Sequence, residues 1–247
     1  MDYESDFEDG FENTSLGAMH YRYHPGTAEK LIFLHGLGYS VKTWSRLVEY
    51  LPDDLDVSLV DLLGHGESDA PEIEYTISAQ FQALREFISM RNNGDSYIFG
   101  HSYGGWVAAY YASQPYTCKG IILEDSAGLK ESFDLIIRNG GASEYKKTML
   151  QSALKVNNNK DYVFRSILDS DFGEDQLTSE VLSKISARTE IIWGREDDMV
   201  GVRFAETFRK GIRNSSLDII DNAGHSPHFT HPKEVSDILL RFMRVKE

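Results

Sequence analysis

Residues 97–105 read Tyr-Ile-Phe-Gly-His-Ser-Tyr-Gly-Gly, and this stretch decides the fold. The apolar run from Tyr97 to Phe99 is typical of a buried strand, and the run from Gly105 to Ala112 is typical of a helix. Between them, Ser102 stands in a Gly-x-Ser-x-Gly pattern, whose glycines leave room for a sharp strand-to-helix turn. The pattern predicts an exposed serine hydroxyl at the start of a helix, where free N–H groups and the positive dipole end favour an anion.

The composition is that of a globular protein with no affinity for polyanions. Its 247 residues are 41% hydrophobic and 26% charged, enough for one large α/β domain with a sizeable core. The net charge of −14 argues against nucleic acid and anionic lipid surfaces as partners. Apolar runs fall far short of the roughly 20 residues that span a bilayer, and the first residues show no signal region. Six acids within residues 2–12 predict a solvated, partly frayed end.

The number of cysteines indicates the cellular compartment in which the protein folds. Cys118 is the only cysteine, so no intrachain disulfide can form, which is typical of a reducing, cytoplasmic environment. Its neighbours offer no metal-ligand spacing, and we expect an inert thiol.

Strand and helix patterns alternate along the chain. Strand patterns cover residues 16–24, 30–35, 57–62, 97–99, 120–124, 190–193 and 217–220, and helical patterns cover 42–50, 75–90, 105–112, 202–209 and 232–244. Such alternation predicts an α/β fold with a mostly parallel, doubly wound sheet and helices on both faces.

The alternation is interrupted once, between residues 129 and 188. This polar stretch lacks proline and has helical patterns at 145–156, 162–168 and 177–187. We interpret it as a small helical cap over the C-terminal edge of the sheet, inserted into a core domain of residues 1–128 and 189–247. Ligands of open α/β sheets bind at that edge. Apolar residues of the cap are expected to line a cavity or to hold the cap in place: Phe133, Leu135, Ile136, Ile137, Met149, Leu150, Phe164 and Ile167.

A serine needs a base to become a nucleophile at neutral pH, and the base needs an orienting carboxylate. After the cap, the histidines are His225, His228 and His231. His225 follows strand 217–220 and is preceded by a glycine, so its ring can turn toward Ser102. The other two lie beside prolines and are predicted to be structural or exposed.

The orienting acid is expected in the loop after strand 190–193. Asp197 is the preferred residue, and its neighbour Asp198 is an alternative that could instead cap the following helix. Asp125, directly after strand 120–124, is a second alternative position.

An oxyanion hole needs two backbone N–H donors. One is predicted at Tyr103, after the serine, and the other at Leu37, because Gly36 and Gly38 beside it allow a close approach to substrate. The loop from Asp61 to Asp69, which contains His65, is interpreted as scaffold that supports the site.

Taken together, these motifs resemble the α/β-hydrolase fold superfamily, from about Leu16 to Arg244. The resemblance is carried by His35-Gly36-Leu37-Gly38, Asp61-Leu62-Leu63-Gly64-His65-Gly66-Glu67-Ser68, Gly100-His101-Ser102-Tyr103-Gly104-Gly105, Gly194-Arg195-Glu196-Asp197 and Gly224-His225. It implies Ser102 as nucleophile, His225 as general base and then acid, Asp197 as orienting acid, and Leu37 and Tyr103 as oxyanion donors. It also implies acyl transfer in two steps, without a cofactor or metal.

The resemblance implies a carboxylesterase-like serine hydrolase acting on a small or medium, apolar carboxylic ester. One alternative is a lyase, a C–C bond hydrolase or an aminopeptidase-like enzyme that uses the same triad on a non-ester metabolite. Another is a ligand receptor with an idle triad. Dehalogenases and epoxide hydrolases of this fold carry aspartate where this chain has Ser102, which excludes them. No oligomeric state is predicted.

Overall fold

One mixed sheet organises the chain in the computed structural model, which describes residues 1–91, 96–157, 160–171 and 173–244. Among these residues, its eight strands are β1 (Glu8–Thr14), β2 (Gly17–His24), β3 (Lys30–Leu34), β4 (Asp56–Val60), β5 (Tyr97–His101), β6 (Gly120–Glu124), β7 (Thr189–Gly194) and β8 (Ser215–Ile220). They follow the order β1-β2-β4-β3-β5-β6-β7-β8. β2 pairs antiparallel with β1 and β4, and all other neighbours are parallel. The predicted mostly parallel sheet is confirmed.

Helices cover both faces of this sheet, as predicted. They are α1 (Ser45–Val48), α2 (Ile77–Arg91), α3 (Tyr103–Ser113), α4 (Lys130–Arg138), α5 (Ala142–Val156), α6 (Asp161–Ser170), α7 (Ser179–Ser183), α8 (Arg203–Gly211), α9 (Pro227–Thr230) and α10 (Pro232–Arg244). Apolar side chains of α2, α3 and α8 share one buried cluster, and those of α1 and α10 share another. None of the helices within the described ranges is long and apolar enough to cross a membrane.

The strands supply both clusters because successive side chains of a strand point to opposite faces. In β3, Ile32 and Leu34 pack on the face of α2 and α3, whereas Leu31 and Phe33 pack on the face of α1 and α10. A strand buried on both faces reads as a continuous apolar run, which is how β3 and β5 appear in the sequence. The parallel strands β3 to β8 therefore all end at one edge, where the loops that follow them meet.

The N-terminal segment differs from the prediction of a solvated, frayed end. Residues Glu8–Thr14 form strand β1, paired along its whole length with β2, and Tyr3 and Phe7 are buried in the cluster beside α10. Glu8 and Asp9 of β1 are exposed, and Glu12 is half-buried and pairs with Arg91, along an edge strand where charges discourage pairing with another chain. The acidic composition therefore marks a protected sheet edge, and the prediction of fraying was wrong.

The predicted helix at 42–50 is shorter and divided. A 3₁₀ turn over Val41–Trp44 leads directly into the single turn of α1. Both parts bury the expected apolar face, since Trp44, Leu47 and Val48 are fully enclosed.

Helices α4 to α7 lie in the chain between β6 and β7, where the cap is predicted. Leu129 and Leu177 form a parallel bridge, the N–H of Lys130 donates to the Leu177 carbonyl at 3.1 Å, and the N–H of Leu177 donates to the Gly128 carbonyl at 2.8 Å. These bonds form a neck that closes residues 130–176 into a lobe, which we call the helical lobe. The domain division at residues 129 and 188 stays a prediction, and α7 lies beyond the neck against α3 and α8.

The helical lobe covers the C-terminal edge of the sheet. A Cβ atom added to Gly38, in the loop after β3, would lie 2.6 Å from Cα of Ala153 in α5. Nζ of Lys160, at the start of α6, donates to the carbonyls of Gly66 and Ser68 at 2.9 and 3.1 Å. The lobe therefore rests directly on the loops that follow β3 and β4.

Candidate active site

Ser102 lies on a strained turn between β5 and α3. Its φ of 51° and ψ of −112° are unfavourable for a residue with a side chain, and such strain is typical of functional sites. The turn is held by the Ser102 N–H, which donates to the carbonyl of Glu124 at 2.9 Å. It is tight enough to require glycine, because a Cβ atom on Gly104 would lie 2.2 Å from the carbonyl oxygen of Leu34. The serine side chain is thus held at the sheet edge, where it is buried and not exposed as predicted.

The ring of His225 bridges Ser102 and Asp197. Its Nδ1 lies 2.9 Å from Oδ2 of Asp197, and its Nε2 lies 2.9 Å from Oγ of Ser102. A carboxylate can only accept a hydrogen bond, so Nδ1 is the protonated ring nitrogen and donates a hydrogen bond to Asp197. Nε2 is then free to accept a hydrogen bond from the serine hydroxyl. This tautomer and geometry can remove a proton from Ser102.

Asp197 is held by three donors. Besides the His225 ring, the N–H groups of Met199 and Val200 donate to its Oδ1 at 2.8 and 3.1 Å. Burial alone would raise the pKa of this carboxyl, but the hydrogen bond and charge of His225 bring it below its usual value. Asp198, the alternative acid, is exposed. Among the acids predicted for this role, Asp197 contacts the His225 ring.

The loop after β3 approaches Ser102. A Cβ atom on Gly36 would lie 3.4 Å from Cβ of Ser102, so the backbone that leads to Leu37 passes beside the serine. His35 fixes this loop, because its Nδ1 donates to the Gly36 carbonyl at 2.8 Å and its Nε2 accepts from the Leu62 N–H at 3.1 Å. Tyr103 is the first residue of α3, where N–H groups have no partner within the helix. Both predicted oxyanion donors therefore belong to segments adjoining Ser102.

His101 connects the turn of Ser102 with the loop of His225. Its Nε2 donates to the carbonyl of His225 at 2.6 Å, and its Nδ1 is buried without a hydrogen-bond partner among the residues that the structure describes. Burial, and then the rings of His228 and His225, hold the pKa of His101 well below its usual range, so the ring stays neutral.

A second buried pair lies beneath this contact. Both oxygens of the Glu124 carboxylate accept from His228, one from its N–H at 2.8 Å and the other from Nδ1 at 2.5 Å. Nε2 of His228 lies 2.9 Å from Oγ1 of Thr43. His228 was predicted to be structural or exposed. It is fully buried, three positions after His225, and its bonds to Glu124 anchor α9. His231 is half-buried beside Thr230.

Asp125, the other alternative acid, is buried next to the same network. Its Oδ1 accepts from the N–H of Gly194 at 2.9 Å, and its φ is 43°. Burial, followed by the charges of Glu124 and Asp197, raises the pKa of Asp125 well above its usual range. It lies near the triad but does not take the place of Asp197 on the His225 ring.

The scaffold role predicted for the loop after β4 fits its contacts. Oδ1 of Asp61 accepts from the Val41 N–H at 2.7 Å, and Oδ2 accepts from the Glu67 N–H at 2.9 Å and contacts His20 at 2.8 Å. His65 is fully buried, which lowers the pKa of its ring to about 3, and its Nδ1 contacts the carbonyl of Leu63. The His65 ring stacks on that of Tyr103 with centroids 6.1 Å apart, whereas the ring that contacts Ser102 Oγ is that of His225.

Within the described ranges, two groups of side chains have the atoms that a metal ion would need. His101, Asp125 and His225, and likewise His101, Glu124 and His228, bring their nitrogen and oxygen atoms within 4.8 Å of one another. Most of those atoms already form hydrogen bonds with protein groups, including both ring nitrogens of His225 and both oxygens of Glu124. The arrangement is that of a proton-sharing network.

Two cavities lie near the triad, although neither is lined by Ser102 or His225 themselves. One of about 460 Å³ extends from Asp197 to the helical lobe, and Phe133, Leu135 and Ile136 of α4 line it. The other, of about 570 Å³, lies beside the loop after β3 and is lined by Tyr39 and by Ser226, next to His225. Three of the eight predicted apolar residues thus reach the first cavity.

The remaining predicted apolar residues are placed elsewhere. Phe164 and Ile167 are fully buried and join the helical lobe to the core, whereas Ile137 is 51% exposed. Leu150 lies in an outer groove between α5 and α6, and Met149 is half-buried.

The sequence reasoning did not identify the network of Glu124 and His101. Both are polar residues at the ends of strands that otherwise read as apolar, β6 and β5. A charged residue at the end of a fully buried strand is the signal that could have found Glu124, because such a group requires a partner.

Comparison with known proteins places this geometry in context. The sequence model that describes the alpha/beta hydrolase family matches residues 31–238 of this chain. A monoacylglycerol lipase of Xenopus laevis is 26% identical over 257 residues, covering 89% of this chain and 76% of the relative. Among solved structures, a serine hydrolase involved in carbazole degradation superposes with a TM-score of 0.82 at 23% identity, covering 97% of this chain and 100% of that one.

A second solved structure extends the range of chemistry on the same fold. The 2-hydroxy-6-oxo-6-phenylhexa-2,4-dienoate hydrolase of Rhodococcus sp. strain RHA1 superposes with a TM-score of 0.78 at 17% identity, covering 97% and 99% of the two chains. At these identities the structural likenesses show a shared fold and do not choose a substrate.

Proposed function

Because the chain belongs to the alpha/beta hydrolase family, we propose that it is a serine hydrolase that cleaves carboxylic esters with Ser102, His225 and Asp197. The observation that carries the proposal is the ring of His225, which contacts Ser102 and Asp197 at 2.9 Å each. Such an arrangement is within the reach needed for nucleophile, base and orienting acid.

The proposed reaction begins with attack of Ser102 Oγ on the ester carbonyl carbon. Nε2 of His225 takes the hydroxyl proton, and the negative charge that develops on the carbonyl oxygen is bound by the N–H groups of Leu37 and Tyr103. The C–O bond to the alcohol then breaks, and His225 returns the proton to the departing alkoxide. An acyl group remains on Ser102.

The second half of the reaction uses the same groups on water. His225 removes a proton from a water molecule, which attacks the acyl carbon, and the resulting intermediate collapses with return of the proton to Ser102. Asp197 holds the ring in the required tautomer and stabilises the imidazolium that forms twice per cycle. An ester and water thus give a carboxylic acid and an alcohol.

We propose that the enzyme recognises its ester substrate by an uncharged, apolar acyl group. The cavity next to Asp197 offers Phe133, Leu135, Ile136 and Phe204 as apolar lining, with a volume of about 460 Å³. Arg203 lines this cavity together with the acids Asp197 and Asp198, whereas these cations of the helical lobe do not: Arg138, Lys146, Lys147, Lys155 and Arg165. The monoacylglycerol lipase named above, a relative that acts on an acyl ester, agrees with this substrate class.

The proposal is tested with a fluorophosphonate probe and a series of p-nitrophenyl esters from acetate to decanoate. We expect the probe to label the wild type but not Ser102→Ala, and only the wild type to hydrolyse esters, with a chain-length optimum that reports the size of the cavity. Circular dichroism verifies that Ser102→Ala is folded. Ester turnover that survives in Ser102→Ala would overturn the proposal. Labelling without turnover of any ester would replace ester hydrolysis by the C–C hydrolase or lyase chemistry.

A further inference from the structure

Three carboxyl groups converge where β6 and β7 end: Glu124, Asp125 and Asp197. Glu124 accepts two hydrogen bonds from His228, and Asp197 accepts three, from His225, Met199 and Val200. From donors in the described part of the chain, Asp125 accepts one, from the N–H of Gly194 at 2.9 Å. The three groups are buried, so their charges are not screened by water.

The second oxygen of Asp125 is the exception in this cluster. Oδ2 is buried and receives no hydrogen bond from a donor within the described ranges. An ionised carboxylate would leave this oxygen unpaired and would place a charge beside Asp197, both of which are unfavourable in a buried position. A protonated carboxyl removes both costs, because its O–H can donate to the neighbouring carboxylate.

We infer that Asp125 is a neutral carboxylic acid that donates its proton in a hydrogen bond to the carboxylate of Asp197. Asp125 is thus a positioning residue, since it acts on the reaction through Asp197 and not through contact with substrate. The catalytic part of this inference rests on the proposed function. With this bond, Asp197 is held by Asp125 in addition to His225 and two backbone N–H groups.

The surroundings of Asp125 agree with a neutral state. Glu124 adjoins it in the chain and Asp197 faces it from the loop after β7, and both charges add to the effect of burial in raising the pKa of Asp125. His101 and His225 face it as well, with ring nitrogens within 4.8 Å of a carboxyl oxygen. His101 is kept neutral by burial, so it supplies no balancing positive charge.

A neutral donor and a second anion would act on His225 in opposite directions. An anion at this distance would favour the imidazolium, so that its removal would lower the midpoint of the His225 titration by at least about half a pH unit. A hydrogen bond from neutral Asp125 partly neutralises the Asp197 carboxylate and so disfavours the His225 imidazolium. Removal of that donor would therefore raise the midpoint of the His225 titration, by up to about one pH unit.

Two variants separate these cases. Asp125→Asn keeps the shape, tolerates a positive φ, accepts from Gly194 and still donates, but it can carry no charge. Asp125→Gly removes the side chain without backbone strain at this φ. The ring titration of His225 is followed by NMR, and the acid limb of fluorophosphonate labelling is measured in parallel.

We expect Asp125→Asn to keep both midpoints within about 0.2 pH units and Asp125→Gly to raise them. A fall of half a pH unit or more in Asp125→Asn would show that wild-type Asp125 is ionised and would overturn the inference. Because Asp125→Asn alone distinguishes the two states, the test stands even if Asp125→Gly does not fold.

A second measurement does not depend on catalysis. The ¹³C resonance of the Asp125 carboxyl, assigned by its loss in Asp125→Asn, is expected to keep the shift of a protonated acid at pH 7. The shift of a carboxylate would overturn the inference. If the wild type is not labelled by the probe while the carboxyl is protonated, the proposed function fails and the proton assignment stands.

Discussion

Nε2 of His101 donates a hydrogen bond to the backbone carbonyl of His225 at 2.6 Å, and the two rings lie 5.1 Å apart. His101 directly precedes Ser102, so the turn that presents the serine also holds the loop that presents the histidine. The distance between Ser102 Oγ and His225 Nε2 is therefore set by a short path through the backbone and one side chain.

Replacement of His101 is expected to lower the rate of catalysis without loss of the fold. His101→Ala removes the donor to the His225 carbonyl, and a displacement of about 1 Å between reacting groups lowers rates by about 100-fold. We expect kcat for a p-nitrophenyl ester to fall 10- to 100-fold while KM changes less than threefold. His231→Ala, at a half-buried position beside Thr230, is the matched control. An unchanged kcat in His101→Ala would mean that the loop is held by other contacts.

The choice of orienting acid is tested by two neighbouring substitutions. Asp197→Asn preserves the size of the side chain but exchanges the carboxylate that holds the Nδ1 proton of His225, which lowers kcat by about 10⁴-fold in comparable triads. Asp198→Asn changes an exposed side chain and is expected to keep kcat within about threefold. Steady-state ester hydrolysis measures both. Comparable losses in the two variants would contradict the assignment of Asp197.

Gly104 is expected to tolerate no side chain. A Cβ atom there would lie 2.2 Å from the carbonyl oxygen of Leu34, which belongs to β3 and cannot move without displacing the sheet. We expect Gly104→Ala to lower the free energy of unfolding by about 2 kcal/mol or more, measured by urea denaturation. Gly141→Ala is the control, because its nearest neighbour would be at 3.4 Å. A Gly104→Ala protein as stable as Gly141→Ala would show that the turn can relax.

Asp171 is expected to make stability depend on pH. Burial raises the pKa of this carboxyl to about 7, although the hydroxyl of Tyr145 donates to it at 2.9 Å. Because the folded-state pKa lies above the unfolded value, the stabilising contribution is fully present below about pH 4 and is lost as the pH rises through 7.

Asp171→Asn removes the titration at this position. Its Tm relative to wild type is expected to rise between pH 4.5 and pH 8, as measured by thermal unfolding across that range. Asp169→Asn, at a 74% exposed position on the same lobe, is the control. A Tm difference that stays constant from pH 4.5 to pH 8 would contradict the raised pKa.

Several features of the fold could be predicted because they depend on local sequence. Gly100, the residue before the last of β5, and Gly194, the last residue of β7, follow apolar runs and mark the strand ends, so the residues expected at the sheet edge were found there. β1 could not be predicted in this way. Its side chains alternate between exposed and half-buried positions on an edge strand, and Phe11 is 55% exposed, so it has no buried apolar face to reveal its period.

The hydrogen-bond network behind the triad could not be predicted for a different reason. His228 and Glu124 are 104 residues apart, and Asp125 and Gly194 are 69 apart, so no local pattern links either pair. Which of Asp125, Asp197 and Asp198 contacts His225 depends on the direction in which each loop leaves its strand. That direction is set by tertiary packing, and the sequence alone left the three acids as alternatives.

The neck formed by Gly128, Lys130 and Leu177 has a consequence for how this protein can acquire new specificities. Residues 130–176 leave the core and return to it through one backbone neck, their side chains also bond the loop after β4, and Ser102, Asp197 and His225 lie outside that stretch. The lobe can therefore change its length and lining without altering the strand ends that carry the bond-breaking groups. Residues of the lobe and core residues 197–204 together line the cavity beside Asp197, so exchange of the lobe would change one wall of that cavity and leave Ser102, Asp197 and His225 in place.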